Sequence, residues 1–157
     1  MKTSEISREI IYGKALKLLG RREYSVWGLT KKLQEKFPLN FAEISDVIKE
    51  LVEKKWLSDE RFCEYLVREK TQHSGWGERK IIMKLNEHKI DTKIIKKNIA
   101  KFFPKNIQIE KGKKLAQEKL EKLRSSKKEI SNYDLQQKVR NFLISRGFPF
   151  EIIDEIL

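Results

Sequence analysis

"KLNEHKIDTKIIKKNI", Lys84 to Ile99, returns near the end of the chain as "FLISRGFPFEIIDEIL", Phe142 to Leu157, and this correspondence decides the fold. With a constant offset of 58 (142 against 84), Leu85 falls on Leu143 and Ile90 on Phe148. Ile94 and Ile95 fall on Ile152 and Ile153, and Ile99 falls on Leu157. "KLQEKFPLNFAEISDVI", Lys32 to Ile48, enters the same frame after one inserted residue, with Leu33, Leu39, Ile44 and Ile48 at the matching positions. Each copy reads as the second and third helix of a unit joined by a short turn. With the preceding helix added, the chain divides into three tandem three-helix repeats, 1–57, 58–104 and 105–157. One such unit is too small for a large core, so neighbours must pack end to end, and an elongated array is expected.

The rest of the chain is helical by the same criterion. Ile44, Val47, Ile48, Leu51 and Val52 keep the spacing of one helix face, with Asn40 and Glu43 placed to cap its start. Leu29, Leu33 and Phe37 mark the helix before it, opened by Ser25. Ser58 opens a helix with Phe62, Tyr65 and Leu66 turned inward. Ile81, Ile82 and Leu85 follow, then Ile95, Ile99, Phe102 and Phe103. Ala116, Leu120 and Leu123 stripe a Lys-rich helix, Leu135, Val139, Phe142 and Leu143 the next, and Ile152, Ile153 and Ile156 the last. No alternating strand pattern emerges, and 7 Gly and 3 Pro among 157 residues are too few for a sandwich or barrel. The expected class is all-α.

Composition narrows the function. No apolar run is long enough to span a bilayer. The start, "MKTSEISREIIYGKALKLL", with Glu5 and Glu9, does not read as a signal peptide. A single cysteine, Cys63, excludes an intramolecular disulfide and suits a reducing cytoplasm. The net charge is +12, and it is uneven: residues 1–77 carry +3, residues 78–128 carry +11 and residues 129–157 carry −2. A field this lopsided points to a polyanionic partner, nucleic acid or an assembly that contains it.

"SGWGERK", Ser74 to Lys80, resembles a phosphate-cradling loop at first sight. A dinucleotide fingerprint needs a third glycine after a strand, and a P-loop needs G-x-x-x-x-G-K-[ST]; neither is present. The plain reading is a hinge, with Gly75 ending one helix in a left-handed conformation and Gly77 letting the next begin in tight quarters. Trp76 between them is expected to pack.

Catalysis is not expected. His73, His88 and Cys63 lack metal-ligand spacing, and there is no H-E-x-x-H or C-x-x-C. Cys63, beside Phe62, reads as a small packed residue. Asp59 and Glu60 suit the positive end of a helix. No Ser/His/Asp set can be assembled, and neither cofactor nor metal is expected.

The basic residues carry the functional reading. Arg79, Lys80 and Lys84 share roughly one helix face, and Lys93, Lys96, Lys97 and Lys101 continue the field. "KGKKLAQEKLEKLRSSKK", Lys111 to Lys128, holds 8 basic residues against 2 acidic. Any single lysine is accounted for as a solvated side chain with its stem over apolar surface. The field as a whole reads better as contact with phosphate or acidic protein. "RREYS", Arg21 to Ser25, adds a basic pair where cations also suit a helix end.

Several of these segments in one order resemble the RecX family of bacterial recombination regulators. The residues are Arg22-Glu23-Tyr24-Ser25, Leu57-Ser58-Asp59-Glu60-Arg61-Phe62, Val67-Arg68, Gly75-Trp76-Gly77 and Ile90, covering about residues 12 to 100. Ser58, Cys63, Glu78, Lys80 and Lys89 depart from the family pattern, Lys89 standing where the family has a turn glycine. The resemblance implies a protein that binds the strand-exchange recombinase RecA and restrains it. Lodged in the groove of the RecA–DNA filament, such a protein impedes ATP-coupled changes and crowds out incoming duplex. It implies no catalytic residue. The expected protein is a cytoplasmic monomer with no membrane contact. Its contact candidates are Arg21, Arg22, Arg61 and Arg68 in the first half, with Arg79, Lys80, Lys84, Lys97 and Lys101 in the second. The rival reading is a general nucleic-acid binder of helix-turn-helix-like units, which would hold naked DNA with a steep salt dependence. A nuclease or ATPase would need a carboxylate cluster that the sequence lacks.

Overall fold

A computed structural model describes residues 6–126 and 128–157. Glu5, with the reading of the first residues, and Lys127 of the basic run lie outside them. The described residues form helices and turns without a strand. The helices are α1 (Arg8–Leu19), α2 (Val26–Lys36), α3 (Phe41–Glu53), α4 (Asp59–Glu69), α5 (Glu78–Glu87), α6 (Thr92–Phe102), α7 (Lys105–Arg124), α8 (Asn132–Ser145) and α9 (Phe150–Ile156). A π-helical turn, Lys70–Ser74, extends α4. The all-α class and the tandem helical organisation hold.

By their contacts the residues form two units: 6–65 with 87–90, and 66–86 with 91–157. In the first, α1, α2 and α3 pack on one another. Ile11, Ala15, Leu29, Leu33, Ile44, Val47, Leu51 and Leu57 fill the interior. Ser7 and Ser25 cap α1 and α2 by accepting from Ile10 N–H (3.4 Å) and Gly28 N–H (2.9 Å), the satisfaction that helix starts require. The α3 helix ends in a left-handed turn at Lys55 (φ 60°), with Trp56 N–H reaching Leu51 O at 3.0 Å.

Four expectations change here. Leu39 is 78% exposed, and Phe37 takes the buried place, because the inserted residue shifts the apolar register within the turn. Asn40 occupies the N-cap position of α3, its carbonyl accepting from Ile44 N–H at 3.0 Å, but its side chain makes no capping bond and Nδ2 donates instead to Ile6 O at 3.4 Å. On α4 the buried face runs through Phe62, Cys63, Leu66 and Val67, leaving Tyr65 44% exposed. Val52, at the edge of the α3 stripe, is also exposed.

In the second unit α7, α8 and α9 pack mutually, and Ile81, Leu85, Ile95, Phe103, Val139, Leu143, Phe148 and Ile153 are buried. Leu157, matched to Ile99 by the repeat, remains 47% exposed. The turn between α8 and α9 is left-handed at Gly147 (φ 91°), with Phe148 N–H bonded to Leu143 O at 3.1 Å. Lys89, at the repeat-matched position, is left-handed too (φ 56°). The turn conformation is thus kept with a lysine where the matched turn has Gly147, at the backbone cost a Cβ imposes.

Candidate contact surface

The segment around Gly75-Trp76-Gly77 is a hinge built on backbone contact. Gly75 is left-handed (φ 63°) and closes the π-helical turn. Gly77 N–H donates to Arg146 O at 2.7 Å, and Arg79 N–H donates to Gly147 O at 2.9 Å. A Cβ on Gly77 would lie 2.6 Å from Gly147 O, and one on Gly147 would lie 2.6 Å from Lys80 N. Two main chains meet where no side chain fits. A helix N-terminus is a ready anion site only while its N–H groups are free. At the start of α5, protein carbonyls take those of Gly77 and Arg79, so the P-loop-like reading is excluded.

The other chemistry-bearing residues are structural. Ser25 Oγ lies 2.7 Å from His88 Nδ1, and the His88 ring packs against Phe62 (4.8 Å) and Trp27 (5.3 Å). Asp59 accepts from Val26 N–H at 2.8 Å and so ties the start of α4 to that of α2. Burial raises the Asp59 carboxyl above its ordinary range, opposed by the Val26 hydrogen bond and His88. The Cys63 thiol is pushed up to about 12, first by burial and then by Asp59 and Glu60. A thiol held there carries almost no thiolate and is a poor nucleophile. Between α1 and α3, Arg8 bonds Glu50 (3.1 Å) and Lys54 bonds Tyr12 (3.3 Å). These bonds lower the Glu50 carboxyl and raise the Lys54 ammonium. Among the described residues no group of three or more His, Cys, Asp and Glu is placed to hold a metal.

Within the first unit, Arg21 and Arg22 are exposed, the Arg22 guanidinium 4.5 Å from the Tyr24 ring centre. Arg61 is engaged internally. Its Nε donates to Glu23 (2.6 Å), Nη1 to Lys55 O (2.9 Å) and Nη2 to Trp56 O (3.0 Å). It therefore clamps the left-handed turn after α3.

Within the second unit, Arg68 and Lys101 meet at one ring, 5.5 and 4.9 Å from the centre of Phe102. Lys80 joins Lys70 at Trp76, each ammonium 4.7 Å from the ring centre. Arg79 lies 5.5 Å from Phe150. Phe102 and Trp76 are part-exposed and Phe150 is exposed, so the expectation that Trp76 packs away is only half met. Lys84 is part-exposed on α5 and Lys97 exposed on α6. Ring and cation each hold the other in place, an attraction of about 0.5–1 kcal/mol at exposed sites. Lys70 and Arg146, which sequence reasoning passed over, belong to the same pattern, Arg146 lying 5.1 Å from Phe142. Phe102 directly follows Lys101 in the sequence, and that adjacency was the legible trace of the pattern.

The described residues thus combine helices in tandem repeat with cations held against part-exposed or exposed rings. The family model for the RecX second three-helix domain matches residues 58–97, and that for the third three-helix domain matches residues 112–157. The regulatory protein RecX of Haemophilus influenzae is 30% identical over 139 residues, 83% of this chain and 82% of that one. The regulatory protein RecX of Legionella pneumophila is 29% identical over 146 residues, covering 92% and 91%. The chain spans 60% of the Finegoldia magna RecX, to which it is 26% identical. The crystal structure of RecX from Lactobacillus salivarius superposes with a TM-score of 0.81 at 25% identity, over 95% of this chain and 93% of that one. The chain belongs to the RecX family of regulatory proteins. No described helix is long and apolar enough to cross a membrane.

Proposed function

We propose that this chain is a regulator of the RecA recombinase, one that binds the RecA–DNA filament in its helical groove and restrains ATP hydrolysis and strand exchange. The observation that carries the reading is the group of ring-backed cations Arg68, Arg79, Lys80 and Lys101 in a chain of the RecX family. The filament presents phosphate and protein together, and guanidinium and ammonium groups held against rings meet both. Three-helix repeats divided at 57/58 and 104/105, monomeric and cytoplasmic, are part of the proposal. Arg21, Arg22, Lys84 and Lys97 remain in the contact set, while Arg61 serves chiefly to hold its turn.

A second reading, a general binder of nucleic acid, is favoured by the same rings, because bases stack on aromatic side chains flanked by cations. Reversing Arg79, Lys80 and Lys84 to Glu tests the surface against RecA filaments on single-stranded DNA. Binding is expected to weaken by tenfold or more, about 1.4 kcal/mol, with the helical circular-dichroism spectrum unchanged. Unaltered filament binding would remove these residues from the contact set. Loss of naked-DNA binding with filament binding intact would favour the second reading.

A further inference from the structure

The second unit carries an open pocket of about 350 Å³ between the π-helical turn Lys70–Ser74, the middle of α7 and the turn that precedes α9. That volume lies within the range of about 300–1,000 Å³ typical of small-molecule sites. Its walls are chemically mixed. Trp76 and Leu115 are apolar, Lys111, Lys114 and Arg146 are cationic, and Glu118 is the one carboxylate in the lining. Arg146 is set in place by donating Nη1 to Ser74 O at 3.1 Å. Among the described residues no ion pair joins Lys111 or Lys114. Three cations against one carboxylate leave the pocket net positive. One wall is a π-helical turn, a costly conformation found often at functional sites.

We propose that this pocket binds a nucleoside phosphate, its base against Trp76 and Leu115 and its phosphate on Lys111, Lys114 and Arg146. The mixed lining selects this class: a bare anion makes no use of an indole and a leucine, and an apolar ligand makes no use of three cations. The volume holds one nucleotide unit and no extended strand. Because the N–H groups of Gly77 and Arg79 at the start of α5 are taken by the carbonyls of Arg146 and Gly147, the phosphate is met by side chains and not by a glycine-rich loop. The unit is either a free nucleotide or the phosphorylated end of a strand. The inference stands on the second unit alone and is independent of the RecA reading.

Isothermal titration of the full chain, without RecA, tests it. The probes are AMP, ATP, inorganic phosphate, and decathymidylate with and without a 5′-phosphate. Binding of AMP or ATP identifies a free nucleotide as the ligand, and binding of only the phosphorylated oligonucleotide identifies a strand end. In either case Lys111→Glu with Lys114→Glu is expected to weaken binding by about 30-fold or more, near 2 kcal/mol. Lys113→Glu, exposed on the same helix outside the pocket, is expected to change it by less than about threefold. Should the double reversal disturb folding, Lys114→Gln at an exposed position keeps the test open. Three results would overturn the proposal: inorganic phosphate binding as tightly as AMP, no binding by any probe, or equal losses from Lys113→Glu and Lys114→Glu.

Discussion

Gly77 gives its backbone N–H to the carbonyl of Arg146 at 2.7 Å, so two segments 69 residues apart (146 against 77) are joined main chain to main chain. The sequence motif that most suggests phosphate chemistry is therefore a docking joint. Gly77→Ala puts a Cβ against Gly147 and Phe148 and is expected to destabilise by about 1–3 kcal/mol or more, as overpacking does. Gly147→Ala adds a left-handed backbone penalty and should cost more. Urea unfolding of both variants measures this; a Gly77→Ala protein of wild-type stability would contradict the joint.

Arg61 and Lys55 make a second joint. A lysine at φ 60° carries strain that glycine does not. Lys55→Gly is therefore expected to cost nothing or to stabilise by up to about 1 kcal/mol. Arg61→Lys loses the fork that reaches Glu23, Lys55 O and Trp56 O and is expected to cost about 1–2 kcal/mol. Filament binding by a refolded Arg61→Lys protein should stay near wild type, because the guanidinium is spent inside the unit. A large binding loss at unchanged stability would return Arg61 to the contact surface.

Cys63 supplies a chemical test of the first unit. The shift from 9.0 to about 12 leaves about a thousandfold less thiolate than an ordinary thiol at the same pH. An aromatic disulfide reagent at pH 8 is expected to leave the native chain unmodified and to react fully in denaturant. Prompt modification of the folded protein would contradict the burial.

Asp59 sets a pH dependence. Its folded-state carboxyl lies above the ordinary 3.8, so the neutral form suits the fold better than the charged one. The associated stability is present below pH 3.8 and lost as pH rises through the folded value. Asp59→Asn keeps an acceptor for Val26 N–H and removes the titration. The variant should therefore gain on the wild type as pH rises from 3 to 7. Asp59→Ala, which leaves the Val26 N–H without its acceptor, is expected to lose about 1 kcal/mol. Stability profiles of the three proteins that run parallel would contradict the assignment.

Much of the fold was legible because helical burial writes itself into spacing. Ile44, Val47 and Leu51, or Ile95 and Ile99, are inward for the reason that their intervals repeat. The errors fall where an interval does not decide. Leu39 lies in a turn, where one inserted residue lets Phe37 replace it. Tyr65 neighbours Leu66 on a helix whose buried face is centred one residue away, on Cys63 and Val67. The contact surface was legible as charge and not as geometry. Nothing near Arg61 in the sequence announces Glu23, and nothing near Lys111 announces Trp76, because distant segments create those neighbourhoods.

The most direct test of the central claim is ATP hydrolysis by RecA on single-stranded DNA, with this protein titrated in at two salt concentrations and naked-DNA binding followed in parallel. Suppression is expected at protein levels well below those that coat the DNA. Suppression that begins only once the strand itself is covered, and that vanishes with salt in step with DNA binding, would contradict it.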